Sequence, residues 1–407
     1  MSVIKECIRY TPISGNYDVI VCGAGPAGVS AAIAAGRAGA RTFLIEAKGC
    51  LGGIWTSGLL SWIIDHSAKD GLMKEFRDDL YMRNAVLYPD ASSFAADVEI
   101  MKLMLEEKCI KAGVQLRLHS RVVAAKTGND GNIEYIITES KSGREAWKAK
   151  VFIDATGDGD LGALAGCEFD FGHPESKLTQ PMSLICLLTG VHKDKIEEVL
   201  INYNDHRKAK EALKSELKRG GNIPTYSHPS LFHVIDDLFI LMANHQYKLS
   251  AINADDVTQA TIMGRKEIHE QVNALKKLGG RWKNLRIIAS AEQIGTREGR
   301  RLKGLHTLKA EDVINGTLFE DSVCRCNAGI DVHSTDPNKT QGIEPHVETN
   351  PYDIPLRALI SRDRSNMLMA GRCISGDFIA HSSYRMTGTA VATGEAAGRN
   401  SAILCRK

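Results

Sequence analysis

Asp18-Val19-Ile20-Val21-Cys22-Gly23-Ala24-Gly25-Pro26-Ala27-Gly28 opens the stretch that decides the fold, and Glu46-Ala47-Lys48-Gly49-Cys50-Leu51-Gly52-Gly53 closes it. Val19 to Val21 is a β-branched run of the kind a buried strand requires. Gly23, Gly25 and Gly28 then satisfy G-x-G-x-x-G, and Ala31, Ala32, Ala34 and Ala35 suit a helix packed tightly on a sheet. Arg41 to Ile45 reads as a second strand, ending at Glu46. In such a unit the first glycine makes the tight turn, the second lets a pyrophosphate approach the backbone, and the third lets helix and strand pack closely. The helix N-terminus offers free N–H groups and a positive dipole end to the phosphates. Glu46 lies 21 residues after Gly25, near the spacing of about 20 for a carboxylate that bonds a ribose hydroxyl. The stretch therefore reads as a dinucleotide site, against the alternative of a glycine-rich turn that holds nothing.

The chain has 407 residues, enough for two or three domains. Lys and Arg number 51 against 49 Asp and Glu, a net charge of +2, so neither nucleic acid nor an anionic membrane is expected as a partner. No apolar run is long enough for a transmembrane helix. Lys5, Glu6 and Arg9 leave no apolar core for a secretory signal. Ten cysteines are scattered singly, without C-x-x-C, so reduced thiols and a cytoplasmic location are expected. A small-molecule substrate is the expected partner, and a homo-oligomer is compatible with the sequence.

Outward from the opening unit, residues 1 to 17 read as a lead-in ending in a turn at Ser14-Gly15-Asn16. Gly49 to Gly58 is a glycine-dense loop that can let a cofactor pass close to the backbone. Val98 to Ala112 reads as a helix, and Val114 to Val122 and Ile133 to Thr138 as strands flanking a turn at Gly128 to Gly131. Lys150 to Gly166 is a strand breaking into a small-residue turn, with Asp154 a turn-stabilising aspartate or a ligand. Further on, helices are expected at 193–201, 205–219 and 257–278, and strand-like runs at 182–188 and 232–242. Ser334 to Asn350 reads as a polar loop, Asn366 to Ala370 as a strand, and Thr387 to Leu404 as a closing small-residue helix.

These landmarks carry a resemblance. The opening unit, Gly52-Gly53, Asp154-Ala155-Thr156-Gly157-Asp158 and the run from Ala370-Gly371-Arg372 to Gly398 together resemble flavoproteins of the glutathione-reductase-type FAD-binding fold. Within that group the chain is similar to a bacterial FAD-dependent oxidoreductase family. The marks are Gly49-Cys50-Leu51-Gly52-Gly53, the run Ile294 to Arg301, Asp353-Ile354-Pro355-Leu356-Arg357, and Ala370-Gly371-Arg372-Cys373-Ile374-Ser375. The resemblance implies an α/β fold: a Rossmann-like FAD-binding domain with a central parallel sheet and a β-meander arm, from residues 1–166 and 351–407. It adds an α+β substrate or cap domain at 167–350. It implies that Gly23, Gly25, Pro26, Ala27 and Gly28 hold the pyrophosphate of FAD, that Glu46 with Ala47 holds the adenosine ribose, and that Val122 meets the adenine. Ala155, Thr156 and Gly157 would line the same end. Gly52, Gly53, Ile54 and Trp55 would approach the isoalloxazine. Gly371 and Arg372 would meet the ribityl chain. Arg385, Met386, Thr387 and Gly388 would bring a helix N-terminus to the pyrimidine side, where reduced flavin carries negative charge. Related folds often place a ribityl-binding acid just after the last strand; here the nearest is Asp377.

The implied activity is hydride transfer between flavin N5 and a small polar substrate, at a C–OH or C–N group. Such a reaction needs the substrate positioned and a base for the proton. His381, just before the flavin-facing helix, and His66, just after the glycine loop, are candidates for that base. Each has a structural histidine as its alternative reading. Arg297, in a cluster with Arg300 and Arg301, is a candidate for holding a substrate carboxylate. Its alternative is a structural salt bridge to Glu298 or Asp321. Cys324-Arg325-Cys326 has poor zinc spacing and reads as two small side chains on one strand face. Other enzyme classes on the same fold are a flavin-dependent hydroxylase and an electron-transfer subunit of a larger redox complex. The latter would need its iron–sulfur cysteines from a partner. Trp55, Trp62, Trp147 and Trp282 do not form the signature expected of a halogenase. A single dinucleotide fingerprint implies no dedicated NAD(P)H domain.

Overall fold

The glycine unit begins on a strand longer than its β-branched centre. The computed structural model describes residues 4, 8–88, 91–339 and 347–406. Strand β1 (Ile13–Cys22) leads through the glycine loop to helix α1 (Pro26–Arg37) and strand β2 (Thr42–Ile45). No turn interrupts it at residues 14–16. That segment pairs in parallel with Ala146 to Ala149, so the strand partner overrides the Ser-Gly-Asn signal. Next come β3 (Trp62–Ile64), α2 (Leu72–Met82), β4 (Ser93–Ala95) and α3 (Val98–Lys111), whose Asp97 caps it by accepting from the N–H groups of Glu99 and Ile100.

The run 114–122 is two strands, β5 (Gln115–Arg117) and β6 (Arg121–Thr127). His119 adopts a positive φ of 51° and turns the chain between them. Val122 therefore starts an arm strand and does not end one. β7 (Ile133–Ser140) and β8 (Gly143–Asp154) complete the antiparallel meander. A sheet in the order β5-β2-β1-β8-β7-β6 results, parallel in its first four strands.

Helix α4 (Asp160–Leu164) and strand β9 (Phe169–Asp170) precede a second, antiparallel sheet. Its strands are β10 (Cys186–Thr189), β11 (Ser230–Ile235), β12 (Leu238–Met242) and β13 (Arg286–Ser290), in the order β11-β12-β10-β13. The run 232–242 is thus a hairpin. Helices α5 (His206–Arg219) and α6 (Ala254–Lys277) belong to this half, whereas 193–201 holds two short 3-10 turns. The remaining elements are β14 (Arg301–Leu302), α7 (Ala310–Asn315), β15 (Ser322–Cys326), β16 (Tyr352–Pro355), β17 (Met367–Met369), α8 (Phe378–Tyr384) and α9 (Thr387–Leu404). β17 pairs in parallel with β8 and returns the C-terminal segment to the first sheet.

Two apolar cores follow from this arrangement. One gathers Val19, Ile20, Phe43, Leu44, Phe152 and Met369 around the first sheet, and also takes in Leu302, Leu308, Val313 and Cys326. The other gathers Leu184, Leu188, Phe232, Ile240, Ile268 and Trp282 around the second. The small residues of α9 have a packing cause. A Cβ at Gly394 would stand 2.1 Å from the carbonyl oxygen of Ala27, and one at Gly398 2.1 Å from that of Ala31. Only glycine lets α9 lie this close to α1. No helix among the described residues is long and apolar enough to cross a membrane. The polar loop read at 334–350 lies partly outside the described residues, as does the N-terminal lead-in.

Candidate functional site

The three fingerprint glycines are not equivalent. Gly23 has φ +91°, and a Cβ there would stand 2.6 Å from the Ala155 carbonyl oxygen. A Cβ at Gly28 would stand 1.8 Å from the Gly23 carbonyl oxygen. The fold itself demands both. A Cβ at Gly25 would meet nothing within 4 Å, and its φ of −67° suits any residue. Pro26 and Ala27 are buried in the first turn of α1, with Pro26 fixing the helix start.

Around this open position several elements converge. The Gly52 N–H donates to the Ala24 carbonyl at 2.8 Å. A Cβ at Gly53 would stand 2.9 Å from the Cα of Gly25, and one at Gly371 3.0 Å from the Cβ of Ala27. Glu46, at the end of β2, accepts from the Ala24 N–H at 2.7 Å and the Lys48 N–H at 2.9 Å. Ala47 is exposed beside it, and Val122 is half-buried at the start of the arm. Beyond β8, Asp154 is buried and accepts from the N–H and hydroxyl of Thr156 and from the Gly162 N–H. Burial raises its carboxyl to about 6 despite those bonds. Asp154 and Thr156 therefore hold the turn that carries Ala155 and Gly157. A Cβ at Gly157 would stand 2.6 Å from an Arg372 guanidinium nitrogen. Arg372 in turn pairs with Asp158 at 3.1 Å. Asp158 went unnoticed in the sequence as a charge partner. Asp377 instead caps α8 through the Ala380 N–H and accepts from the Ala310 N–H, each at 2.8 Å.

Several buried polar atoms here have no hydrogen-bond partner among the described residues: Trp55 Nε1, one terminal nitrogen of Arg372, both ring nitrogens of His381, Arg385 Nε and Thr387 Oγ1. Native interiors leave few such groups without an explanation. Their chemistry, N–H donors, an imidazole and a hydroxyl, fits a polar, anionic ligand such as FAD. Ile54 is half-buried beside Trp55, and Met386 is the N-cap of α9. Gly388 has a packing cause of its own, since a Cβ there would stand 2.1 Å from the Asp65 carbonyl oxygen.

The catalytic candidates separate. His381 is fully buried in α8, edge-on to Tyr384. Burial, then Arg301, Arg385 and Arg372, hold its imidazole well below the ordinary range, so it is neutral at pH 7. His66 is tied by Nε2 to the Ala91 carbonyl at 2.8 Å and packs edge-on to Phe94. Arg297 is not in the ion pair open to it in the sequence. Glu298 pairs with Arg301, and Asp321 with Arg357. Beside the α9 N-terminus lies a pair that the sequence did not reveal: Lys69 and Asp65 are 2.7 Å apart, with side chains 1% and 2% exposed. Thr389 donates to Asp65 at 2.6 Å, and the Cys326 thiol contacts it at 3.4 Å. Cys326 is buried and Cys324 half-buried. No group of three His, Cys, Asp or Glu among the described residues is placed to hold a metal ion.

A parallel sheet with a glycine-loop helix at its head and an antiparallel arm defines a dinucleotide-binding protein of the Rossmann-like class. The chain belongs to the FAD dependent oxidoreductase family, whose model matches residues 18–407, and it is an FAD-dependent oxidoreductase. Among solved structures it is similar to a geranylgeranyl bacteriochlorophyll reductase-like protein from Thermoplasma acidophilum, with TM-score 0.50, 13% identity, and 96% of this chain and 78% of that one covered. It is also similar to a triple mutant of the flavin-dependent brominase Bmp2, with TM-score 0.50, 14% identity, and 96% and 80% covered. At such identities these likenesses speak for the fold. No curated protein matches the chain.

Proposed function

We propose that this oxidoreductase moves a hydride between FAD and a small polar substrate, at a C–OH or C–N group, with FAD extended as in glutathione-reductase-type flavoproteins. The observation that carries the FAD placement is Gly25, a glycine that neither φ nor packing requires, at the mouth of a helix N-terminus. In this reading Gly23 to Gly28 hold the pyrophosphate, and Glu46 with Ala47 holds the adenosine ribose. Val122 and Ala155 to Gly157 line the adenine end. Gly371, Arg372 and Asp158 meet the ribityl chain, and Gly52 to Trp55 with Arg385 to Gly388 enclose the ring system.

FAD supplies the two-electron acceptor or donor, and the protein supplies placement and proton handling. The first-turn amides of α9 put a positive dipole end where the reduced ring carries charge. Buried, neutral His381, with both nitrogens unsatisfied by protein, takes the substrate proton. His66 holds its loop through Ala91. The nine cysteines among the described residues are free thiols, which supports a reducing, cytoplasmic setting. The reading is tested by purification and reconstitution: the protein should show the visible band of oxidised flavin at one FAD per chain. Colourless protein that takes up no added FAD would overturn it.

A further inference from the structure

Arg297 is a buried cation with no carboxylate in direct contact among the described residues, although the Asp331 charge reaches it. It is 9% exposed, and one of its terminal nitrogens donates to the Pro181 carbonyl at 2.7 Å and the Ser183 hydroxyl at 2.9 Å. The other meets the Met242 thioether at 4.0 Å, a weak acceptor, and no carboxylate pairs with Arg297 among the described residues. Buried charges are ordinarily paired, because an unpaired one carries its full desolvation cost. A buried arginine with no carboxylate bonded to it among the described residues is therefore a candidate anion site.

The surroundings are built for a ligand. Tyr226 stacks on His245 with ring centroids 4.0 Å apart, and His333 stands edge-on to His245 at 5.0 Å. His245 Nδ1 is 3.1 Å from the Tyr247 hydroxyl, while its Nε2 is buried with no partner among the described residues. Arg385 closes the group by donating to the Asp331 carboxylate at 2.8 Å, and Asp331 contacts His333 at 3.3 Å. Nearby Glu267 is taken up by Thr225, Gln246 and Gln271. Burial and Arg297 push His333 down to about 4, and burial likewise holds His245 well below its ordinary value. Both rings are neutral at pH 7. Asp331 is bonded to Arg385, which leaves Arg297 as the guanidinium open to an incoming carboxylate.

The cluster also bridges two segments assigned to the flavin. A Cβ at Gly295 would stand 3.2 Å from Ile54 Cδ1 and 3.1 Å from the Ser183 carbonyl, so the segment just before Arg297 lies close to Ile54. Arg385 directly precedes Met386, the N-cap of α9. Gln180 links the Ser382 hydroxyl at 3.1 Å to the His333 N–H at 2.9 Å and so ties the cluster to α8.

We propose that Arg297 and Arg385, with the neighbouring His245 and Tyr226, form the binding site for the carboxylate of a small substrate. The proposal rests on the flavoenzyme reading above, and it narrows "small polar substrate" to a carboxylic acid, such as a hydroxy or amino acid. A guanidinium gives a carboxylate two aligned donors, and the unpartnered His245 nitrogen offers a third contact.

Calorimetric titration of the FAD-loaded protein with pyruvate and oxamate, which cannot be oxidised at a C–OH, tests it. Methyl pyruvate is the uncharged control. The carboxylates should bind and perturb the flavin spectrum, and methyl pyruvate should bind at least about tenfold more weakly, given the strength of charge-assisted pairs. Arg297→Gln and, independently, Arg385→Gln should each weaken pyruvate binding by a similar factor, with Arg297→Lys intermediate. Retained flavin and an unchanged melting temperature identify the folded variants. No carboxylate binding, equal binding of the methyl ester, or undiminished binding in the Arg385→Gln protein would overturn the proposal. Flavin content, read from its own absorption, reports separately on the flavoenzyme reading, and the same titration repeated on protein without flavin gives the carboxylate answer independently.

Discussion

Gly25→Ala separates what the fold needs from what the ligand needs. The added methyl meets no protein atom within 4 Å, and the φ of −67° is one alanine adopts freely. The apoprotein should therefore lose no stability, and a gain of about 0.4–1 kcal/mol is expected from the restricted unfolded chain. Cofactor binding should suffer heavily. The methyl occupies the approach to the α1 N-terminus and denies the pyrophosphate two charge-assisted N–H bonds, at about 1.5–3 kcal/mol each. Together that is about 3–6 kcal/mol, or a rise in Kd of about 10²- to 10⁴-fold. The assay has two arms: FAD titration followed by flavin fluorescence, and denaturant unfolding of the apoprotein. Gly28→Ala is the contrasting variant, because its Cβ would stand 1.8 Å from the Gly23 carbonyl oxygen and should disrupt the fold itself. A Gly25→Ala protein that binds FAD like wild type would refute the placement of the pyrophosphate. One that is severely destabilised without FAD would refute the claim that Gly25 is there for a ligand.

Other consequences follow from the same contacts. Asp65→Asn strands buried Lys69 and should cost about 3–5 kcal/mol in unfolding experiments, with Asp65→Asn/Lys69→Met recovering much of it. No loss in the single variant would show the pair to be hydrated. Burial raises the Asp154 carboxyl in the native state from the ordinary aspartate value of 3.8 to about 6. The native state thus favours its protonated form, and the stability this group contributes falls as pH rises from about 4 to about 6. Wild type minus Asp154→Asn unfolding free energies should show that slope, and a flat difference would remove Asp154 as its source. Gly394→Leu and Gly398→Leu should prevent α9 from seating on α1 and abolish soluble, folded protein. Unperturbed circular dichroism in either would mean the helices can separate at little cost.

What the sequence disclosed was what is local in it. The strand, glycine loop, helix and Glu46 lie within three dozen residues, and each obeys a spacing rule. The closing helix was legible from its small residues, and the structure supplies their reason in the α1 backbone beneath Gly394 and Gly398. Failures came where a partner or a single backbone angle decided the outcome. The 13–17 segment became strand through pairing with β8, and His119 split one apparent strand into two. Asp377 is a helix cap, a role fixed by the α8 N-terminus and the neighbouring Ala310 N–H. Arg297 could be named from its local cluster, but not its neighbours. Tyr226, His245, the Asp331–His333 loop and Arg385 lie on separate segments, more than 150 residues apart at the extremes. No periodicity or spacing rule links them, and only the fold brings them together. The same holds for Asp65 and Cys326.

The central claim is hydride exchange with a small polar substrate, and anaerobic flavin reduction tests it most directly. The oxidised holoenzyme is mixed, without oxygen, with separate hydroxy acids, amino acids, sugars, polyols and amines, and with NADH and NADPH. The account predicts that a hydroxy or amino acid bleaches the flavin band while the nicotinamides leave it oxidised. Rapid bleaching by NADH or NADPH alone, with every organic substrate inert, would contradict it and point to a hydroxylase or an electron-transfer subunit.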